Sequence, residues 1–421
     1  MDQRRGAWIH LAGGLGCAYT PCGFEPIARD CMTLVTSETS LQSGRLGAAG
    51  GEAGLGRAAG FNSADVTAIR NLLRGGSVID WHRLYFTDRQ QVDRFLRINE
   101  IDPSYPDDIA RLEDLREQAV EYLERYLGFR VAEDVAVRVP ARDLLLVASQ
   151  KGKRRTQACV VLKVMHVLHH LAGGELATRL AVSADQIFQF VEDKVLRTVE
   201  EMKGAGCQIV EFEWSRKEQD SLITKLLAKR DNIAAHVYDK LRFRMITRTE
   251  DEIVFVLREL LQRLVPFNYV IPAESQNDIV DLQSFVEHDP YLRNHLGDLL
   301  DLSSETPDKR SPQGNEFSGP SYRVVNFVTD LPVRVDKHLG LSPNDPLFAD
   351  TGNVVFVLTE FQIVDTRTSQ ANELGENSHE RYKERQVTRV RARLMHGMQD
   401  EDTGGPVLDL SGRQDGDLGH D

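Results

Sequence analysis

The chain has 421 residues, with 51 Lys and Arg against 64 Asp and Glu, and a net charge of -13. That is longer than one typical domain, and the acidic balance disfavours the coating of a polyanion outside local basic clusters. Its 41% hydrophobic content can fill a buried interior, yet no window reaches the roughly 18 apolar residues of a membrane-spanning helix, so a cytoplasmic protein without membrane attachment is expected.

Residues 1–60 read as a disordered extension, dominated from Leu41 to Gly60 by Gly, Ala and Ser. Gly13, Gly14 and Gly16 interrupt the stretch that a secretory signal would need. Asn62 and Ser63 then cap a first helix with Val66, Ile69, Leu72 and Leu73 at helical spacing, and a second helix fits Arg89 to Asn99. From Asp107 to Leu127 the residues Ile109, Leu112, Leu115, Ala119, Leu123 and Tyr126 share one face of a third. Together these form an amino-terminal helical module over residues 61–150.

From Thr156 to Leu171 apolar residues occupy nearly every face, as in a buried helix that carries His166, His169 and His170. The only His-Asp pairs, His288-Asp289 and His420-Asp421, lie far downstream, so buried or hydrogen-bonded histidines are the better reading than metal ligands. Gly174 to Glu200 has the outline of a helix-turn-helix, but Glu192, Asp193, Glu200 and Glu201 would face phosphates badly. Two packed helices are expected there. The five cysteines (Cys17, Cys22, Cys31, Cys159, Cys207) form no C-x-x-C pair and suit reduced thiols.

After Gly204 the period changes. Cys207 to Trp214 alternates as a strand, Glu218 to Lys229 returns to helical spacing, His236 to Ile246 is a second strand and Glu250 to Leu264 a helix. Strands follow at Phe267 to Ile271, Ser321 to Thr329 and Val354 to Val364, then a helix from His379 to about His396. Alternating strands and helices imply an α/β sheet. Residues 273–318 read as an acidic inserted loop and 397–421 as a disordered tail, which leaves 151–396 as the principal domain.

Four segments of this block resemble the RelA/SpoT alarmone synthetases, in that family's order. Lys217, Ser221 and Lys225 fall at the intervals of its ATP-binding R-x-K-x-x-x-S-x-x-x-K motif, with Ser215 at the Arg position and Arg216 beside it. Basic side chains at a helix amino terminus offset the charge of a triphosphate. Val237, Asp239 and Arg244 match the strand V-x-D-x-x-x-x-R-x-x, whose Asp binds magnesium in the family. Alternation puts Asp239, Leu241 and Phe243 on one face and Arg242 and Arg244 on the other. Glu360-Phe361-Gln362-Ile363 matches E-x-Q-I, and the match runs on through Glu373, Gly375, His379, Tyr382 and Lys383, with Val364 in place of the adjacent family Arg. Tyr322 keeps the base-stacking Tyr of N-G-Y-x-S-x-H, with Val324 for Ser and Asn326 for His.

The resemblance implies a nucleotidyltransferase-like α/β (α+β) fold, a mixed sheet flanked by helices. It implies transfer of pyrophosphate from ATP to the 3'-hydroxyl of GTP or GDP, with Mg²⁺ held by Asp239 and Glu360. Arg216, Lys217, Ser221 and Lys225 would bind ATP, and Tyr322, His379, Lys383 and Arg244 the acceptor. Two alternatives stay open: transfer to the ends of tRNA, which the altered Tyr322 segment permits, and a degenerate domain that binds a nucleotide and signals.

Overall fold

The computed structural model describes residues 61–74, 84–217, 219–228, 241–272, 274–288, 293, 319 and 321–396. In chain order the helices before the sheet are α1 (Ser63–Arg74), α2 (Arg89–Ile98), α3 (Pro106–Leu127), α4 (Leu144–Ser149), α5 (Arg155–Arg179) and α6 (Ala184–Gly204). Then come β1 (Ile209–Arg216), α7 (Gln219–Ala228), β2 (Leu241–Thr247), α8 (Glu250–Arg263), β3 (Gln276–Asn277), α9 (Leu282–His288), β4 (Val325–Arg334), α10 (Asp336–Leu339), β5 (Val354–Asp365), α11 (Thr366–Asn372) and α12 (His379–His396).

Local chemistry sets many of these boundaries. Asp88 caps α2 by accepting from the Gln91 amide, Pro106 opens α3 where no amide bond is needed, and Gly128 ends α3 at a φ of 62°. Ser183 and Gln186 form a reciprocal capping box at the start of α6. Between α5 and α6 the chain is a turn of two packed helices. Val191, Val195, Val199 and Met202 of α6 are buried against the sheet, which accounts for the apolar pattern without any nucleic acid.

The five strands pair in the order β1-β2-β5-β4-β3. The β2/β5 pair is parallel; β1/β2, β5/β4 and β4/β3 are antiparallel. The fold is therefore a mixed α/β sheet flanked by helices, as expected. One face carries a row of rings, Phe212–Phe243–Phe361–Phe327, with successive centroids 6.0, 5.6 and 5.3 Å apart. Helices α1, α6 and α8 pack their apolar sides on that face. A second core joins α2, α3, α4 and the first half of α5. The helix α1 thus belongs to the sheet core, and α5 is shared between the two cores.

The segment expected as a strand from Phe267 to Ile271 is a short 3₁₀ turn, Phe267–Tyr269, with only a bridge between Val270 and Thr329. Pro266 fixes φ just ahead of it, and Asn268 turns inward to bond Asn99 and His166. The fourth strand runs Val325–Arg334 rather than from Ser321, because the chain turns at Ser321, with the Tyr322 amide bonded back to Gly319, and pairs as a strand only from Val325. At the start of the expected inserted loop, Gln276 and Asn277 pair with β4 and α9 follows. The extensions expected over 1–60 and 397–421, and most of that insertion, lie outside the described residues.

The histidines of α5 are hydrogen-bonded in the junction between the two cores. His169 Nδ1 lies 3.0 Å from the Tyr269 hydroxyl, His166 Nδ1 3.2 Å from the Asn268 amide, and His170 Nε2 2.5 Å from Asp330. Burial pushes His169 down to about 3 and His166 to about 4, so both are neutral at ordinary pH. Among the described residues no helix is long and apolar enough to cross a membrane.

Candidate active site

Glu360 lies in the middle of the sheet on the face opposite the ring row. Strand β2 alternates with Leu241, Phe243 and Met245 buried and Arg242 and Arg244 half-buried, and the parallel register sets Arg242 beside Glu360 and Arg244 beside Gln362. Neighbouring residues in register share a face, so two guanidinium groups lie on the face of the carboxylate, Arg242 next to it. Strand β4 adds Asn326 opposite Gln362, and β1 adds Glu213 opposite Arg244 and Ser215 opposite Arg242.

The Glu360 side chain is 8% exposed and held from three sides. Arg242 Nε donates to its Oε2 at 2.8 Å and Gln362 Nε2 to its Oε1 at 3.1 Å. In the amide orientation its neighbours require, Asn326 also donates to Oε1, at 2.9 Å. A buried carboxylate demands such partners, and the charge-assisted bond to Arg242 is the strongest of them. Arg244 donates to Ser369 Oγ at 3.1 Å and stands 3.6 Å from Glu373 and 3.9 Å from Glu213. Tyr322 closes the group. Burial raises its hydroxyl above the ordinary tyrosine value, Arg244 and Arg242 pull it back, and Glu360 and Glu373 push it further up. The Tyr322 hydroxyl therefore feels the same four charges.

Glu360, Arg244 and Tyr322 are thereby brought together from three separate segments. Arg216 is not. It lies one residue beyond Ser215, so alternation turns it to the opposite face, where its guanidinium grips Glu192 of α6 at 2.6 and 2.8 Å and stands 3.4 Å from Asp185. Ser215, at the Arg position of the motif, is the residue on the Glu360 face. Lys217 follows the strand half-buried, and Ser221 and Lys225 sit one turn apart on α7, which packs along α12. His379 opens α12, and Lys383 lies exposed one turn later. Asp239 lies outside the described residues.

Arg242 was legible only as part of an alternating strand; its role as the partner of Glu360 needs the β2/β5 register. Asn326, which stands where the resemblance has His, reaches the same carboxylate through β4. Neither residue carries a sequence signal for that contact.

Glu360 offers the hard oxygen that Mg²⁺ takes, but among the described residues no three His, Cys, Asp or Glu side chains converge to hold an ion.

Fold and site together define an α/β protein with a polar, arginine-lined sheet face around one buried glutamate. No protein-family model matches the chain, and no curated protein matches it. Among solved structures it is similar to the small alarmone synthetase 2 from Bacillus subtilis, at 13% identity over 51% of this chain and 95% of that one, with a TM-score of 0.27. It is also similar to the small alarmone synthetase 1 from Bacillus subtilis bound to its product pppGpp (16% identity, 50% and 85% covered, TM-score 0.26). A third is a GTP pyrophosphokinase family protein from Streptococcus pneumoniae (14% identity, 52% and 92% covered, TM-score 0.25).

Proposed function

We propose that the chain is a cytoplasmic pyrophosphotransferase that moves the terminal pyrophosphate of ATP to the ribose 3'-hydroxyl of GTP or GDP. The observation that carries this reading is the meeting of Glu360, Arg242 and Arg244 on one sheet face, with the charges of all three acting on the Tyr322 hydroxyl. The ordered motifs from Lys217 to Lys383 support it from the sequence side. In the reaction the 3'-oxygen attacks the β-phosphorus of ATP, the bond from that phosphorus to the α,β-bridging oxygen breaks, and AMP leaves.

Glu360 takes the proton from the attacking hydroxyl, with its orientation on the sheet face fixed by three donors. Arg242 and Arg244 offset phosphate charge, Tyr322 stacks on the acceptor base, and Lys217, Ser221 and Lys225 hold the ATP phosphates. His379 and Lys383 contact the acceptor phosphates. Mg²⁺, held by Glu360 and Asp239, would neutralise the developing charge when bound.

A second reading has a specific observation behind it. Arg242 occupies one oxygen of Glu360, and Arg216 is committed to Glu192, as they would be in a nucleotide-binding domain that has lost transfer. One assay separates the two. Purified protein with labelled ATP, Mg²⁺ and either GDP, GTP or tRNA should label a guanine nucleotide, and Glu360→Gln should abolish labelling. Label on tRNA would change the acceptor. ATP binding without transfer to any acceptor would establish the signalling reading. Full activity of Asp239→Asn would remove Asp239 from the metal site.

A further inference from the structure

The Tyr322 segment is held from both sides by two asparagines of the chain that follows β5. Asn372, the last residue of α11 and 2% exposed, donates Nδ2 to the Arg323 carbonyl at 2.7 Å and accepts the Arg323 amide on Oδ1 at 3.1 Å. This two-bond bracket copies a backbone pairing with one side chain, so it fixes the orientation of the Arg323 peptide as well as its place. Asn377, 9% exposed, donates Nδ2 to Ser321 Oγ at 2.9 Å. Tyr322 is the residue between the two anchors, and its own amide closes a turn onto Gly319.

The other end of the bracket is also rigid. Asp365, at the end of the strand that carries Glu360, caps α11 by accepting from the Arg367 and Thr368 amides at 3.0 and 3.1 Å. The 3₁₀ turn Gly375–Asn377, entered through Gly375 at a φ of 61°, then turns Asn377 back toward Ser321. The chain that continues from the Glu360 strand through the capped α11 therefore reaches both neighbours of Tyr322.

We propose that Asn372, seconded by Asn377, is the positioning residue that holds the Tyr322 ring in place to stack on the acceptor base, so that it acts on acceptor binding through Tyr322 alone. The assignment rests on the stacking role given to Tyr322 above. Only Asn supplies a donor and an acceptor at this reach: Asp lacks the donor, Gln is one methylene longer and Leu has neither.

The test measures binding of GDP and, separately, of a non-hydrolysable ATP analogue, by calorimetry on the full chain. Wild type is compared with Tyr322→Leu, Asn372→Ala and the double variant. Tyr322→Leu is expected to weaken GDP about 10-fold, the range of one lost base stack. Asn372→Ala should match it, leave the ATP analogue unchanged, and add nothing in the Tyr322→Leu background, since residues that act as one unit are not additive. If Asn372→Ala does not fold, Asn372→Asp, which keeps the acceptor and loses the donor, carries the same comparison.

GDP binding unaffected by either Asn372 variant would overturn the proposal while leaving Tyr322 in place. So would a loss that persists in full in the double variant, or equal weakening of the ATP analogue. GDP binding unaffected by Tyr322→Leu would overturn the stacking role itself, and this assignment with it.

Discussion

Gly173 and Gly174 stand side by side in α5, and the structure predicts opposite consequences for the same added methyl group. A Cβ at Gly173 would lie 2.5 Å from Cδ2 and Cε2 of Phe356 and 2.8 Å from the Val354 carbonyl oxygen. Carbon contacts relax at about 3.5–4.0 Å, so the overlap exceeds about 1 Å. The Phe356 ring cannot swing aside, because it is packed at centroid distances of 5.3, 4.7 and 4.6 Å from His169, His170 and Tyr269. The Val354 oxygen belongs to β5 itself, and moving it would disturb the strand that carries Glu360.

At Gly174 a Cβ meets nothing within 4 Å. Both substitutions gain the same helix propensity, about 1 kcal/mol over Gly. The difference between the two variants therefore isolates the overpacking at Gly173, about 1–3 kcal/mol and at the upper end for a clash with backbone. Urea unfolding of Gly173→Ala and Gly174→Ala should give equal m-values, with the Gly174 midpoint above wild type and the Gly173 midpoint below that of Gly174→Ala. Coincident midpoints would refute the close approach of α5 to β5 on which the joint between the two cores depends.

Arg334, at the end of β4, is 8% exposed and bonds Asp108 at 2.6 Å and Asp336 at 3.0 Å, with those carboxylates 9% and 1% exposed. Arg334→Met leaves two buried charges without a cation and should cost about 3–5 kcal/mol; replacing Asp108 and Asp336 with Leu and Asn in the same chain should recover much of it. Thermal melts of the single and triple variants check both statements. The depressed histidines set a pH dependence. Below about pH 6.5 the unfolded chain binds protons that folded His166 and His169, at about 4 and about 3, do not, so stability is full above that pH and falls as pH drops. Each contributes about 1.4 kcal/mol per pH unit in that window, and His169→Gln should flatten the slope between about pH 6 and 5 by that amount.

The alternation of Leu241, Phe243 and Met245 with Arg242 and Arg244, and the run from Glu360 to Lys383, were readable because strand and helix periods are local properties of the chain. The same holds for the α3 stripe. The Phe267 segment was misread because apolar residues in a run look alike whether they pair with a strand or merely lie along one. Pro266 and the inward turn of Asn268 decided it.

By itself, then, the sequence determined the α/β class and the apolar face of the sheet, since both follow from residue type and spacing, and its motif resemblance made candidates of Glu360, Arg244 and Tyr322. The tertiary structure alone decided that Arg216 turns away to Glu192 while Ser215 faces the site, a matter of register. It alone separated Gly173 from Gly174, joined Asp108 to Arg334, and brought Asn372 and Asn377 to either side of Tyr322. These contacts link residues far apart in the chain, and their energies depend on distances of a few tenths of an ångström, which no local pattern encodes.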